Sequence, residues 1–147
     1  DLPLIFAIKN KLYEKVSDKG FQLLHEAQDM ILNLSYSSDA TLIVFEIYGG
    51  ETVVIQNRKL IKTGIRNGNA PTVSPDGEKI VFMIIEDDGY QIQSGAISYW
   101  DSKTGKIYPI IDDPKIVAMN PAWSNNNLIY YINFLDGSIQ SAGLGNR

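Results

Sequence analysis

An all-β chain of repeated four-stranded antiparallel units is predicted by three observations. First, "NLSYSSDATLIVFEI" from Asn33, "NAPTVSPDGEKIVFMI" from Asn69 and "NPAWSNNNLIYYINF" from Asn120 align on a serine (Ser37, Ser74, Ser124), followed by a polar turn and a β-branched and aromatic run. Second, hairpin turns at Asn10-Lys11, Gly49-Gly50, Asp88-Gly89 and Asp136-Gly137 recur at spacings of 39, 39 and 48 residues. Third, no segment sustains the 3.6-residue apolar period of an amphipathic helix. A period of about 40–45 residues holding four short strands is the pattern of β-propeller blades, and the fourteen strands read along the chain make about three and a half of them.

Each unit reads strand by strand, labelled a to d from the centre of the blade outward. The first, residues 1–28, supplies b at 4–8, c at 12–16 and d at 21–24, but no strand a. The second, 29–68, gives all four strands at 31–36, 42–48, 52–57 and 59–65. The third, 69–115, places strand a at 70–73 and uses Ser74-Pro75-Asp76-Gly77 to turn into strand b at 79–85. Pro75 supplies the fixed φ that such a turn wants at its second position, and Gly77 ends it. Glu86-Asp87-Asp88-Gly89 begins a longer b–c connection, after which c (96–100) and d (107–111) follow across the "DSKTGK" turn. The fourth unit, 116–147, supplies a, b and c at 118–123, 128–134 and 138–144 and stops at a Gly145-Asn146 turn. Alternating positions such as Leu42/Val44 and Ile80/Phe82 suit sheets stacked face to face. A closed ring typically holds four to eight blades, so a larger propeller or a ring completed by a second copy is expected.

Composition narrows the function classes. Thirteen Lys+Arg against seventeen Asp+Glu leave a net charge of −4 without a basic cluster, which disfavours a nucleic-acid partner. No apolar run approaches the roughly 18 residues of a membrane span. Zero cysteines and one histidine, His25, provide neither a thiolate nucleophile nor a zinc site of the usual ligand types, and no cofactor is expected. The apolar start at Asp1-Leu2-Pro3 has no basic n-region before it and no small-residue cleavage site after it, which suits a removed leader or a start inside a domain.

"NAPTVSPDGEKIVFMI" resembles the repeat of TolB-like propellers, in which a small or aromatic residue precedes Ser-Pro-Asp-Gly, two polar residues and an Ile-Ala-Phe type strand. "SKTGKIYPIIDDPKIVAMNPAWS" is similar to the remainder of that unit, and "LYEKVSDKGFQLLHEAQ" is a looser copy of its outer hairpin. The other two serine turns depart from the pattern as Ser37-Ser38-Asp39-Ala40 and Ser124-Asn125-Asn126-Asn127. Trp100-Asp101 and His25 also resemble the WD-type repeat, but the Asp of its hydrogen-bonded tetrad is not identifiable. The resemblance implies an extracytoplasmic, periplasmic binding or scaffolding module, although fold alone does not fix function.

Candidate residues have structural readings beside functional ones. Ser37, Asp39, Ser74, Pro75, Asp76, Gly77 and Ser124 are expected to build the repeated turns. His25 is the only side chain whose ordinary pKa suits a general base near neutrality, yet no Gly-x-Ser-x-Gly elbow accompanies it. One histidine also cannot supply the clustered histidines of propeller-type pectate-degrading enzymes. Glu86-Asp87-Asp88 and Asp112-Asp113 lack the alternating spacing of a calcium loop, and as b–c and d–a connections they are expected to emerge on different faces. Pro114 restricts Asp113 to extended backbone and shapes the corner between blades. Trp100, Trp123, Tyr130 and Tyr131 are candidates for an interaction surface. Adjacent Tyr130 and Tyr131 must face opposite sides of their sheet, leaving one of them freer.

The expected function is therefore a non-enzymatic TolB-like scaffold with no catalytic, cofactor or metal residues. Its partners would be proteins, further blades or a second copy completing a ring. The alternatives are the gating propeller of a prolyl-oligopeptidase-like hydrolase and a carbohydrate- or calcium-binding propeller.

Overall fold

The structure, a computed structural model, describes residues 2–18 and 20–145, so the predicted Gly145-Asn146 turn lies partly outside the described residues. The described residues form strands and connections without helix. Strands β1 (Ile5–Ile8), β2 (Lys11–Ser17) and β3 (Gly20–Glu26) make the first blade. The second blade holds β4 (Ile31–Tyr36), β5 (Leu42–Ile47), β6 (Glu51–Gln56) and β7 (Lys59–Ile61), and the third β8 (Gly68–Val73), β9 (Lys79–Asp87), β10 (Ile92–Asp101) and β11 (Ile107–Ile111). Strands β12 (Ala118–Trp123), β13 (Ile129–Asn133) and β14 (Ser138–Ala142) make the fourth. Neighbouring strands within each sheet pair antiparallel in sequence order, so the all-β propeller architecture read from the sequence is the one observed.

The b strands explain how the blades stack. Side chains alternate across a strand, and in β5 Ile43 and Phe45 pack with Ile5 and Leu12 of the first blade, while Leu42 and Val44 pack with Ile80, Phe82 and Trp100 of the third. In β9, Ile80 and Phe82 face backward, while Val81 packs forward with Ile129 and Tyr131 of the fourth blade. Both faces are covered, so these strands read as continuous apolar runs instead of alternating ones. Each fully buried side chain of this type stabilises the fold by about 1.5–3 kcal/mol relative to exposure.

Polar contacts reinforce the stacking. Arg58, in the β6–β7 turn, donates both guanidinium arms to the buried carboxylate of Glu14 on β2. Gly95 on β10 bridges in parallel to Val117 just before β12. A Cβ at Gly95 would lie 2.7 Å from the carbonyl oxygen of Ala118, so only glycine permits this approach.

The structure corrects three expectations. The outer strand of the second blade ends at Ile61 instead of residue 65, because the Thr63 hydroxyl takes the Ile65 N–H and Gly64 turns the chain with φ 80°. The acidic run is not a long loop: Ile92 pairs with Asp87 and Ser94 with Glu86, so β9 and β10 extend into a hairpin whose tip is residues 88–91. The b–c and d–a connections share one end of the blades, since alternate turns of an antiparallel meander fall at the same end. Hydrogen bonds from Tyr48 N–H to Met30 O and from Phe134 N–H to Val117 O, both 2.8 Å, tie the two kinds of connection together there.

Replacing Gly95 with alanine should lower unfolding free energy by about 1–3 kcal/mol through overpacking. Gly143→Ala, whose Cβ would meet only Leu128 Cδ2 at 3.8 Å, should stay within about 1 kcal/mol of wild type. Denaturant titration of the two variants checks the contrast.

Candidate functional site

The repeated serine turns occupy the a–b end. Ser37 Oγ donates to Asp39 Oδ1 at 2.7 Å and accepts the Leu42 N–H at 3.0 Å. Ser74 donates to Asp76 and accepts the Lys79 N–H at 3.0 Å. Ser124 donates to Asn126 at 3.0 Å and accepts the Leu128 N–H at 3.2 Å. One hydroxyl thus closes the turn and starts the next strand in each copy. Pro75 sits inside its turn, and Gly77 ends it with φ 73°, so close to the preceding turn that a Cβ would lie 3.1 Å from Ser37 Cβ. The Thr41 N–H, then the Ser37 and Thr41 hydroxyls, hold the Asp39 carboxyl down to about 2. At Asp76 partial burial raises the pKa, but bonds from Ser74, the Glu78 N–H and Lys79 together outweigh it and leave the carboxyl below its ordinary value.

A recess of about 380 Å³ opens where the innermost strands converge, lined by Asn33, Ser35, Ala70, Pro71, Thr72 and Asn120 among others. Asn33, Ala70 and Asn120 occupy equivalent places, each four residues before its turn serine, and share left-handed φ values of 51°, 50° and 54°. Each marks a β-bulge, with register breaks between Leu32 and Ser35, Asn69 and Thr72, and Met119 and Ala122. The bulges let one blade's first strand reach the next: Val73 N–H donates to Ser35 Oγ at 2.9 Å, and Ala70 N–H to Glu46 Oε2 at 3.3 Å. This lining can hydrogen-bond a neutral polar group, but its serine is already engaged with backbone and no histidine lies beside it. The bulge residues were not singled out in the sequence. The signal was present in Asn33 and Asn120, because asparagine tolerates left-handed backbone better than other non-glycine residues.

The four aromatic candidates separate. Trp100 is buried between the second and third blades and Tyr131 between the third and fourth, so neither is available as a surface contact. The apolar faces of two blades close over them. The Tyr131 hydroxyl donates to Gln140 at 2.9 Å, and burial, then the Asp113 charge, pushes its pKa up. Trp123 is half-buried and donates its indole N–H to Thr72 O at 3.0 Å, joining the fourth blade to the third. Tyr130 is 45% exposed, on the opposite side from Tyr131.

Tyr130 belongs to a larger open face. It matches Val44 and Val81 in the repeat, both 0% exposed, and Ile139 is 74% exposed where the equivalent Ile97 is 0%. Ile132 continues the face. On the first blade the backward side shows Leu4, Phe21 and Leu23 exposed, with Phe6 stacked on Tyr13 at 5.5 Å and edge-on to Phe21 at 5.0 Å.

The titratable candidates are engaged locally. His25 packs against Phe45 with ring centroids 5.8 Å apart. Asp87 accepts the Gly89 N–H, Asp88 the Tyr90 and Gln91 N–H groups, and Asp113 the Lys115 N–H. Among the described residues no three His, Cys, Asp or Glu side chains cluster to hold a metal ion.

No protein-family model matches the chain, and neither does any curated protein sequence. Solved structures match in fold. TolB from Acinetobacter baumannii aligns with 88% of this chain and 36% of its own, with a TM-score of 0.58 and 16% identity. A puromycin-hydrolyzing peptidase from Mycobacterium tuberculosis aligns with 97% of this chain and 26% of its own, at 0.68 and 15%. An oligogalacturonate lyase in complex with manganese aligns with 93% of this chain and 44% of its own, at 0.66 and 10%. The chain thus spans less than half the length of each of these three proteins. The shared feature is the TolB-like β-propeller fold, in line with the resemblance read from the serine turns.

The low Asp39 pKa predicts a pH effect. A carboxyl at about 2 when folded and 3.8 in its ordinary state stabilises the fold above about pH 4, and that contribution is lost as pH falls through 2. The melting-temperature difference between wild type and Asp39→Asn should therefore be constant from pH 5 to 7 and shrink toward pH 2, as thermal scans at each pH would show.

Proposed function

We propose that the chain acts as a non-catalytic propeller scaffold that binds protein through its open blade faces. The observation that carries this reading is the equivalence of Tyr130 and Ile139, which are exposed, with Val81 and Ile97, which a neighbouring blade buries completely. A sheet face with that pattern suits a partner with the chemistry of a propeller blade, whether further blades or a second copy that contributes to a ring. An extracytoplasmic location fits this reading through the resemblance to TolB-like repeats.

A second reading, the gating propeller of a hydrolase, is favoured by one observation: the puromycin-hydrolyzing peptidase covers 97% of the chain. Under it the open faces would pack on a catalytic domain or on further blades of the same polypeptide.

Light scattering on a sizing column tests the scaffold reading. Wild-type protein should self-associate above the monomer mass, and Tyr130→Lys combined with Ile132→Lys should return it to monomer with unchanged β-type circular dichroism. A wild-type chain that is already a monodisperse monomer at high concentration would count against self-apposition of these faces.

A further inference from the structure

The end of the blades that carries the b–c tips and d–a connections has a distinct surface at the third and fourth blades. Tyr90, at the tip of the β9–β10 hairpin, is 99% exposed, and Phe134 and Leu135 at the β13–β14 tip are 55% and 64% exposed. This exposure does not depend on the open face of the fourth blade. Tyr48, the equivalent of Phe134 in the repeat, is 67% exposed although its own blade is covered on both sides.

The two tips are tied through the connection between them. Phe134 N–H bonds Val117 O, Asn133 Oδ1 accepts both the Val117 and Leu135 N–H groups, and Val117 bridges to Gly95 on β10. The same tips and connection carry Glu86, Asp87, Asp88, Asp112, Asp113 and Asp136, with Lys115 two residues beyond Asp113 and Arg66 set level with Glu86 by the pairing of Gly68 with Ile84, so carboxylates outnumber cations there. None of the six carboxylates is in an ion pair among the described residues. The opposite end differs, since Asp76 and Glu78 there are balanced by Lys79 and Lys103.

We propose that this end of the third and fourth blades docks a cationic polypeptide segment that carries apolar side chains. Aromatic and aliphatic groups held out at the hairpin tips supply apolar contact area. The unpaired carboxylates select positive charge and repel anionic partners. The site is separate from the open blade faces, so it can hold whether or not those faces bind.

The test uses the full chain, 15N-labelled, titrated with a soluble peptide of alternating Lys and Leu, and with a Glu/Leu peptide of equal length. Lys/Leu binding should shift amides at residues 86–91, 112–117 and 134–137, and weaken as salt rises toward about 0.5 M. Tyr90→Ser with Leu135→Ser, and separately Glu86→Gln with Asp112→Asn, should each weaken binding about fivefold or more. Asp18→Asn, at the far end, should leave it unchanged. The proposal is overturned if the Lys/Leu peptide does not bind, if the Glu/Leu peptide binds as well, if both double variants bind like wild type, or if the shifts map to the open faces or the recess.

Discussion

The requirement that every b strand be covered on both faces governs this structure. A strand such as β5 carries Leu42, Ile43, Val44 and Phe45 in succession, all buried, and a single sheet can hide only half of them. The other half is hidden by stacking a second sheet, which in turn has its own uncovered side. Stacked blades meet this demand repeatedly, and the polar features follow from how closely they approach. The bulges at Asn33, Ala70 and Asn120 bring first strands within hydrogen-bond reach of their neighbours, Gly95 removes a side chain where backbones meet, and the Glu14–Arg58 pair joins two blades at a hairpin turn.

Much of this was legible in the sequence because the repeat supplies several readings of one environment. Serine at Ser37, Ser74 and Ser124 occupies three different loops yet makes the same two bonds, and a hydroxyl that both donates and accepts is the side chain able to do so in that space. Strand positions were likewise readable from β-branched runs between turn residues. Contacts between units were less so. Whether Trp100 is a surface or a core residue depends on the side of β10 it takes and on what stacks there, and neither is written in its neighbours. Nor did the spacing show that Ser94 would pair with Glu86 and lengthen the third hairpin, because an acidic Gly-containing stretch reads as loop until its partner strand is known.

The candidate surfaces were legible only in part, for a related reason. Alternation placed Tyr130 and Tyr131 on opposite sides, but which side meets a neighbouring blade follows from the direction of stacking around the arc. The innermost recess arises from bulges whose residue types, two asparagines and one alanine, share a backbone conformation more than a chemistry. The two ends of the blades also differ: at one, a serine hydroxyl closes each a–b turn and starts the next strand, while at the other the hairpin tips hold Tyr48, Tyr90 and Phe134 out toward solvent.

Alternation within the b strands also determines which substitutions can influence one another. Ile43 and Val44 are covalent neighbours yet belong to separate packing clusters, while Phe45 and Leu12, 33 positions apart, share one. Changes at adjacent residues should thus combine additively, and changes at remote ones should show epistasis. Free energy in this protein is arranged as a chain of nearest-neighbour couplings running around the arc, and the peptide backbone crosses that chain instead of following it.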